Sequence, residues 1–130
     1  MSISKFASKG LLEKRGYNPV ASAYATSPNL KGSVYKASQL AGLIRKSRVQ
    51  DAMLQLQFNR KSLSRHFIQT LNSAIANAEN NAGLDIDNLY ISEILVEKAF
   101  DLKRNHARGR GRSAMVKKHY VRVKILLKSL

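Results

Sequence analysis

Cysteine, acidic residues and long apolar runs are absent or scarce in this sequence of 130 residues. With no cysteine, the chain can form neither disulfides nor thiolate metal sites, which suits a reducing compartment. No apolar run approaches the roughly 20 residues that cross a bilayer, and the N-terminus lacks the apolar centre of a secretory signal. Because 8 acidic residues oppose 23 Lys and Arg, the formal net charge is +15. This charge indicates nucleic acid or an anionic membrane surface as the partner.

The composition indicates one folded domain with a basic extension. A hydrophobic content of 44% is too high for a wholly disordered basic protein, and the length allows a single modest core. Residues 1–24 carry scattered basic residues, with Gly16 and Pro19 as breakers, so we expect an extension that lies on a polyanion. Glu13 and the scarcity of arginine argue against a mitochondrial transit peptide. Residues 25–130 are then predicted to form one domain.

The dominant pattern is a pair of strand-like runs between residues 89 and 128. Both runs alternate with a period of two. One face of the first run is predicted to carry Tyr90, Ser92, Ile94, Val96, Lys98 and Phe100, and the other Leu89, Ile91, Glu93, Leu95 and Glu97. In the returning run, one face carries Val121, Val123, Ile125 and Leu127. A Gly-containing segment separates the runs, so we predict a long β-hairpin whose first arm would span roughly 45 Å.

The distal half of this hairpin is strongly basic. From Lys98 to Lys128 there are eleven Lys or Arg and one acid, Asp101, so this segment carries +10. The predicted tip, residues 103–113, is not apolar enough to fold against a core, and its positive charges repel one another. Phosphates would neutralise this charge, and arginine can bind them bidentately and stack on exposed bases. We therefore expect nucleic acid to order the tip.

A short strand and a helix are predicted before residue 47. Ala25–Gly32 is a poor strand, which Pro28 confines to the edge of a sheet. Ser33 is the expected N-cap of a helix through Lys46, because apolar residues recur at helical spacing after it. Those residues are Val34, Ala37, Leu40, Ala41 and Ile44.

Two further helices are predicted before residue 84. Ser47 and Gln50 fit a capping box that opens a short helix. A third helix begins near Asn59 or Ser62 and ends at Gly83, a residue type favoured just past a helix C-terminus. Its apolar stripe comprises Leu63, Phe67, Leu71, Ala74, Ile75 and Ala78. These stripes predict an α+β fold in which helices pack on one face of a small antiparallel sheet.

The carboxylates form no catalytic or metal-binding pattern. Asp85 and Asp87 lack the glycine and the terminal glutamate of a calcium loop, so a turn at a helix end is the better interpretation. Glu93 and Glu97 lie on one face of the first run. We expect them to be solvent-facing partners of nearby lysines and not a catalytic pair.

The histidines suggest an RNA-cleaving enzyme, but only weakly. His106 and His119 could approach each other across the hairpin and act as acid and base. Nothing in the sequence supplies a pocket or residues that would orient them, and together with His66 they share no metal-ligand spacing. We therefore predict no enzymatic activity, no metal and no cofactor.

Two other binding functions compete with RNA binding. An architectural DNA-binding protein with a β-ribbon arm remains the main alternative, although the tip carries neither an apolar wedge nor proline, and no dimer seam is obvious. A membrane binder ranks last, because no large apolar residues alternate with the charges of the tip. An arm that threads among folded RNA helices suits the arginines best.

Three blocks of sequence resemble a known family. They are SAIANAENNAGLDIDNLYISEILVEKA at 73–99, LKRNHARGRGRSAMVKK at 102–118 and, more loosely, SVYKASQLAGLIR at 33–45. Over about residues 25–130 the chain resembles the universal large-subunit ribosomal protein twenty-two family, particularly its alphaproteobacterial and organellar members. Two positions depart from that family: Val34 replaces its usual proline, and Lys46 stands where a glycine commonly follows LIR. Residues 1–24 have no counterpart.

The resemblance implies a fold, partners and a location. It implies three helices on a three-stranded antiparallel sheet, from which a long basic hairpin protrudes. Members bind large-subunit rRNA, lie among neighbouring large-subunit ribosomal proteins near the mouth of the peptide exit tunnel, and contribute to subunit assembly. The hairpin tip would form part of the tunnel wall and meet the nascent polypeptide. No homo-oligomer, membrane or cofactor is implied. The location is the cytoplasm of a bacterium, with an organellar matrix as the alternative.

The resemblance and the charge pattern together predict which residues contact RNA. On the hairpin they are Lys103, Arg104, Arg108, Arg110, Arg112, Lys117, Lys118 and Arg122. On the body they are Lys36, Arg60, Lys61 and Arg65. The tunnel tip would comprise Arg108, Gly109, Arg110, Gly111 and Arg112.

Overall fold

The computed structural model describes residues 22–129 as three helices and three strands. In chain order they are β1 (Ser22–Lys31), α1 (Val34–Ile44), α2 (Val49–Gln57), α3 (Leu63–Ala82), a 3-10 turn (Ile86–Asn88), β2 (Leu89–Ala107) and β3 (Ser113–Ser129). The strands form one antiparallel sheet in the order β1-β3-β2. The predicted α+β architecture with a long hairpin is confirmed. The predicted extension, residues 1–24, lies outside the described residues except for its last three, which open β1.

Strand β1 lies at one edge of the sheet, as its proline predicts. It begins at Ser22, earlier than the predicted start at Ala25. Pro28 lies in a register shift between Ser27 and Leu30, where no regular ladder hydrogen bond is required of it. The central position belongs to β3, and its alternating apolar residues are therefore fully buried beneath the helices.

Strand β2 does not keep the alternation predicted for it. Its register against β3 shifts between Ile91 and Glu93, so that one extra residue is accommodated there. Because such a bulge reverses the faces beyond it, Ile91 and Ile94 both point toward the helices and both are fully buried. The predicted assignment of these two residues to opposite faces is wrong. Alternation alone did not locate the extra residue, because Ile94 and Leu95 are both apolar and allow either face to continue.

The helix ends agree with the predictions at two points and differ at two. Helix α1 ends at Ile44, two residues before the predicted Lys46, which has a left-handed φ. The Ser33 side chain caps α1 by accepting the Lys36 N–H at 3.4 Å. Helix α3 ends at Gly83, which has a φ of 59° and donates its N–H to the Glu79 carbonyl. The predicted capping box of α2 is wrong, because the Ser47 hydroxyl donates to the Ile44 carbonyl at 2.7 Å instead.

The core lies between the helices and one face of the sheet. The stripe predicted for α3 is buried there, apart from the half-buried Ile75. Phe67 and Leu71 of α3, Leu40 of α1 and Val123 of β3 are among its fully buried residues. Within residues 22–129, no helix is both long and apolar enough to span a membrane.

The connection between α1 and α2 covers part of the free edge of β2. The Lys46 N–H donates to the Ile91 carbonyl, and the Ile91 N–H donates to the Ser47 carbonyl, both at 3.0 Å. Arg45 adds a hydrogen bond from Nη2 to the Ile94 carbonyl at 3.1 Å. Lys46 adopts a φ of 63°, a left-handed conformation that favours glycine. The sequence departs at this position from the glycine common in the family that it resembles.

Candidate nucleic-acid interface

The hairpin extends well beyond the helices. Pairing between β2 and β3 continues past Phe100 and Tyr120 as far as Ala107 and Ser113. From Phe100 to Ala107 the ribbon is roughly 25 Å long. Its side chains beyond Leu102 are exposed on both faces, except for the half-buried Ala114. The projecting arm predicted from the charge pattern is therefore present in the fold.

A compact turn closes the hairpin between Arg108 and Arg112. The Arg108 N–H donates to the Arg112 carbonyl at 2.7 Å. Arg110 and Gly111 have φ values of 60° and 68°, and two successive positive φ angles are the pattern of a type I′ turn. Glycine adopts this conformation freely, whereas for Arg110 it costs about 1 kcal/mol. The turn thus presents three exposed arginines at the end of the arm.

The predicted hairpin contacts occupy both faces of the ribbon. Lys103 and Lys117 lie directly opposite each other, so two like charges face one another across the strands. Lys118 is opposite Leu102 and lies on the other face of the ribbon. Like charges in opposite positions destabilise a sheet, and a phosphate bound between them would remove that cost. All the predicted hairpin contacts are exposed except Arg122, which is half-buried. Its Nη1 lies 3.9 Å from Oε2 of Glu97.

The predicted contacts on the body are also exposed, and a hydrogen bond joins two of the segments that carry them. Lys61 Nζ donates to Oε1 of Gln39 at 2.7 Å, which ties the segment before α3 to α1. Lys36 lies one turn before Gln39 on α1, so it shares this part of the surface. Arg60 precedes Lys61, and Arg65 follows it by one turn of helix.

Tertiary packing places these body residues at the end from which the hairpin leaves. The Gly32 N–H donates to the His119 carbonyl at 3.0 Å, which attaches the start of α1 to the root of the arm. A Cβ built on Gly32 would lie 2.9 Å from Leu63 Cδ1, so the start of α3 packs against the same point. The body cations and the hairpin cations therefore belong to one end of the molecule, which we call the basic surface.

The sequence pattern does not predict the half-buried carboxylate at the root of the hairpin. Asp101 Oδ2 lies 2.7 Å from Lys98 Nζ, and Oδ1 lies 2.7 Å from His119 Nδ1. The hydrogen bond from Lys98, followed by that from His119, lowers the pKa of Asp101 below its ordinary value. Its position as the one acid among eleven cations could have identified it, because such an acid has many possible partners.

The two histidines of the hairpin do not form a pair. His106 lies opposite Ala114, whereas His119 lies opposite Asp101. Positions 101 and 106 of β2 differ by five residues, so the two histidines are also on opposite faces of the ribbon. The acid–base pair suggested by the sequence is therefore not assembled. Across residues 22–129, no three His, Asp or Glu side chains are grouped so that they could hold a metal ion.

Comparison with known proteins shows the family of this chain. The family model described as Ribosomal protein L22p/L17e matches residues 25–128. The large ribosomal subunit protein uL22 of Neorickettsia sennetsu is 48% identical over 99 residues, which cover 76% of this chain and 88% of that protein. The uL22 protein of Novosphingobium aromaticivorans is 41% identical over 108 residues, covering 83% and 86%. The chain belongs to the ribosomal protein L22p/L17e family, and the resemblance to its alphaproteobacterial members is confirmed.

Proposed function

We propose that this chain is a structural constituent of the large ribosomal subunit and binds large-subunit rRNA through its basic surface. Its family supports the assignment to the ribosome. RNA binding is supported by the basic surface, because the cations of the body and those of the hairpin lie at the same end of the molecule. The role is structural, and no catalytic step is proposed for it.

The unpaired charge of the hairpin carries this proposal. Seven cations on the outer part of the hairpin form no ion pair with any residue of 22–129: Lys103, Arg104, Arg108, Arg110, Arg112, Lys117 and Lys118. A free arm with this charge repels itself, whereas phosphates on both faces would neutralise it and release their counterions. Folded rRNA is a polyanion that can surround a ribbon in this way.

The tip is proposed to reach the wall of the nascent-peptide exit tunnel. Its turn, Arg108–Arg112, is narrow and contains two glycines, so the backbone can approach RNA or a passing polypeptide closely. The body, with its helices, would remain nearer the tunnel mouth among neighbouring ribosomal proteins. The domain that opens with β1 at Ser22 would act there as one copy and contribute to subunit assembly, with the preceding residues as an extension.

The proposed location follows from the relatives. They are bacterial large-subunit proteins, so we place this chain on cytoplasmic ribosomes, with organellar ribosomes as the alternative. Sedimentation of the endogenous protein tests the assignment. We expect it to migrate with large subunits through moderate salt, and migration as a free protein would contradict it.

A salt titration tests the role of the tip. Log affinity for large-subunit rRNA is plotted against log salt concentration. Replacing Arg108, Arg110 and Arg112 by glutamine should reduce the magnitude of the slope of this plot by about 2. The matched control replaces the same three residues by lysine, which keeps the charge and should keep the slope. An unchanged slope in the glutamine variant would mean that these arginines face an open lumen instead of phosphate. Duplex DNA in the same assay tests the architectural alternative, and we expect it to bind more weakly than rRNA.

A further inference from the structure

Two aromatic rings stack on each other at the root of the hairpin. Phe100 of β2 and Tyr120 of β3 lie directly opposite each other. Their ring centroids are 4.7 Å apart and their planes differ by 11°. Phe100 is nevertheless 41% exposed, so part of its ring is accessible to a ligand.

This aromatic pair lies on the face of the sheet opposite the helices. Tyr120 precedes Val121, which is fully buried beneath the helices, so the two side chains point to opposite faces. The register of β2 shifts between Lys98 and Phe100, and this second bulge turns Phe100 to the open face. The sequence pattern predicts Phe100 on the face of Ile94 and Val96, and that prediction is wrong. Bulges of this kind often direct a side chain toward a binding site.

Cations flank the aromatic pair along the ribbon. The next pair of residues on the open face toward the tip contains Lys118, and the pair beyond it contains Arg104. Successive pairs on one face are about 6.6 Å apart, so a ring and a positive charge lie within reach of one nucleotide. Neither cation forms an ion pair with another residue in the described range.

We propose that the Phe100–Tyr120 pair is a stacking platform for an unpaired base of RNA, with Lys118 and Arg104 binding the adjacent phosphates. Aromatic rings beside basic residues are the common means of holding single-stranded nucleotides. An RNA strand offers both the flat apolar base and the negative charge that this surface complements. The platform rests on the proposed rRNA binding and adds to it a contact with unpaired nucleotides.

The experiment separates base stacking from a purely structural role of the rings. The full-length chain is titrated with a short oligoadenylate and with polyphosphate of similar length, which carries negative charge but no bases. Phe100→Leu keeps an apolar side chain and removes the ring. We expect it to weaken oligoadenylate binding about tenfold and to leave polyphosphate binding unchanged. Arg104→Gln is the matched control and should weaken binding of both probes.

A tryptophan variant provides a direct signal. The chain contains no tryptophan, so Phe100→Trp introduces a single indole. Oligoadenylate should quench its fluorescence and restore the affinity lost in Phe100→Leu, whereas polyphosphate should do neither. The platform is wrong if Phe100→Leu loses affinity for both probes equally or for neither. It is also wrong if both probes quench the fluorescence of Phe100→Trp to the same extent.

The same variants distinguish this inference from the proposed function. If Phe100→Leu binds oligoadenylate and large-subunit rRNA as the unchanged chain does, the platform is wrong while rRNA binding stands. If the unchanged chain shows ring-dependent oligoadenylate binding but no affinity for large-subunit rRNA, the proposed function is wrong and the platform stands.

Discussion

Oδ1 of Asp101 lies 2.7 Å from Nδ1 of His119, and this contact joins β2 to β3 where the hairpin leaves the body. Lys98 holds the second carboxylate oxygen, also at 2.7 Å. The His119 carbonyl in turn accepts the Gly32 N–H from the start of the helical layer. A single carboxylate thus links the two strands at the root of a strongly cationic arm, and the Gly32 hydrogen bond attaches that root to the body.

The loss of stability in acid should depend in part on protonation of the Asp101 carboxylate. The pKa of Asp101 is lowered in the folded chain, so its stabilisation is complete above the ordinary value of 3.8 and is lost as the pH falls below it. We expect Asp101→Asn to reduce the fall in melting temperature below this pH and to lower the melting temperature at neutral pH. Thermal unfolding by circular dichroism measures both. Asp51→Asn, at an exposed position in the first turn of α2, is the control and should change both by much less, because only the helix dipole acts on that carboxylate.

Replacing Lys46 by glycine should stabilise the fold. The φ of 63° at Lys46 strains any residue with a Cβ, and glycine removes that strain. The free energy of unfolding should rise by about 1 kcal/mol in urea denaturation. Lys46→Ala keeps the Cβ and serves as the control, with no such gain expected. Equal behaviour of the two variants would mean that the lysine side chain, and not the backbone, determines the effect.

Shortening the hairpin should leave the body folded. Residues 103–117 contribute no buried side chain, so an Asn-Gly turn joining Leu102 to Lys118 removes no core contact. We expect the free energy of unfolding to change by less than about 0.5 kcal/mol, while the affinity for large-subunit rRNA falls sharply. A large loss of thermal stability in the free protein would show that the arm supports the body.

Two phenylalanines differ in burial and should differ in their effect on stability. Phe67 is fully buried in α3, and Phe67→Ala should lower the free energy of unfolding by about 3–5 kcal/mol through cavity formation. Phe58 is 84% exposed at the end of α2, so Phe58→Ala should change it by less than about 0.5 kcal/mol. Guanidinium denaturation of both variants measures the contrast, and similar losses would contradict the core assignment.

Local patterns predicted much of the fold because they depend on neighbours in the chain. The stripe of α3, its end at Gly83 and the cap at Ser33 all follow from side chains within a few residues of one another. The capping box at Ser47 failed because this segment pairs with Ile91 of β2, a partner far away in sequence. Non-local hydrogen bonds of this kind leave no periodic signal.

The sequence by itself determined the charge of the arm, its length and the absence of an apolar tip, since these depend only on composition and order. Tertiary structure alone decided which way the side chains of β2 point. Bulges at two places in β2 reverse its faces, because register is set by hydrogen bonds to β3 and not by the alternation of side chains. Packing of Gly32 against Leu63 and His119 likewise brought the body cations beside the arm, a proximity that no local pattern encodes.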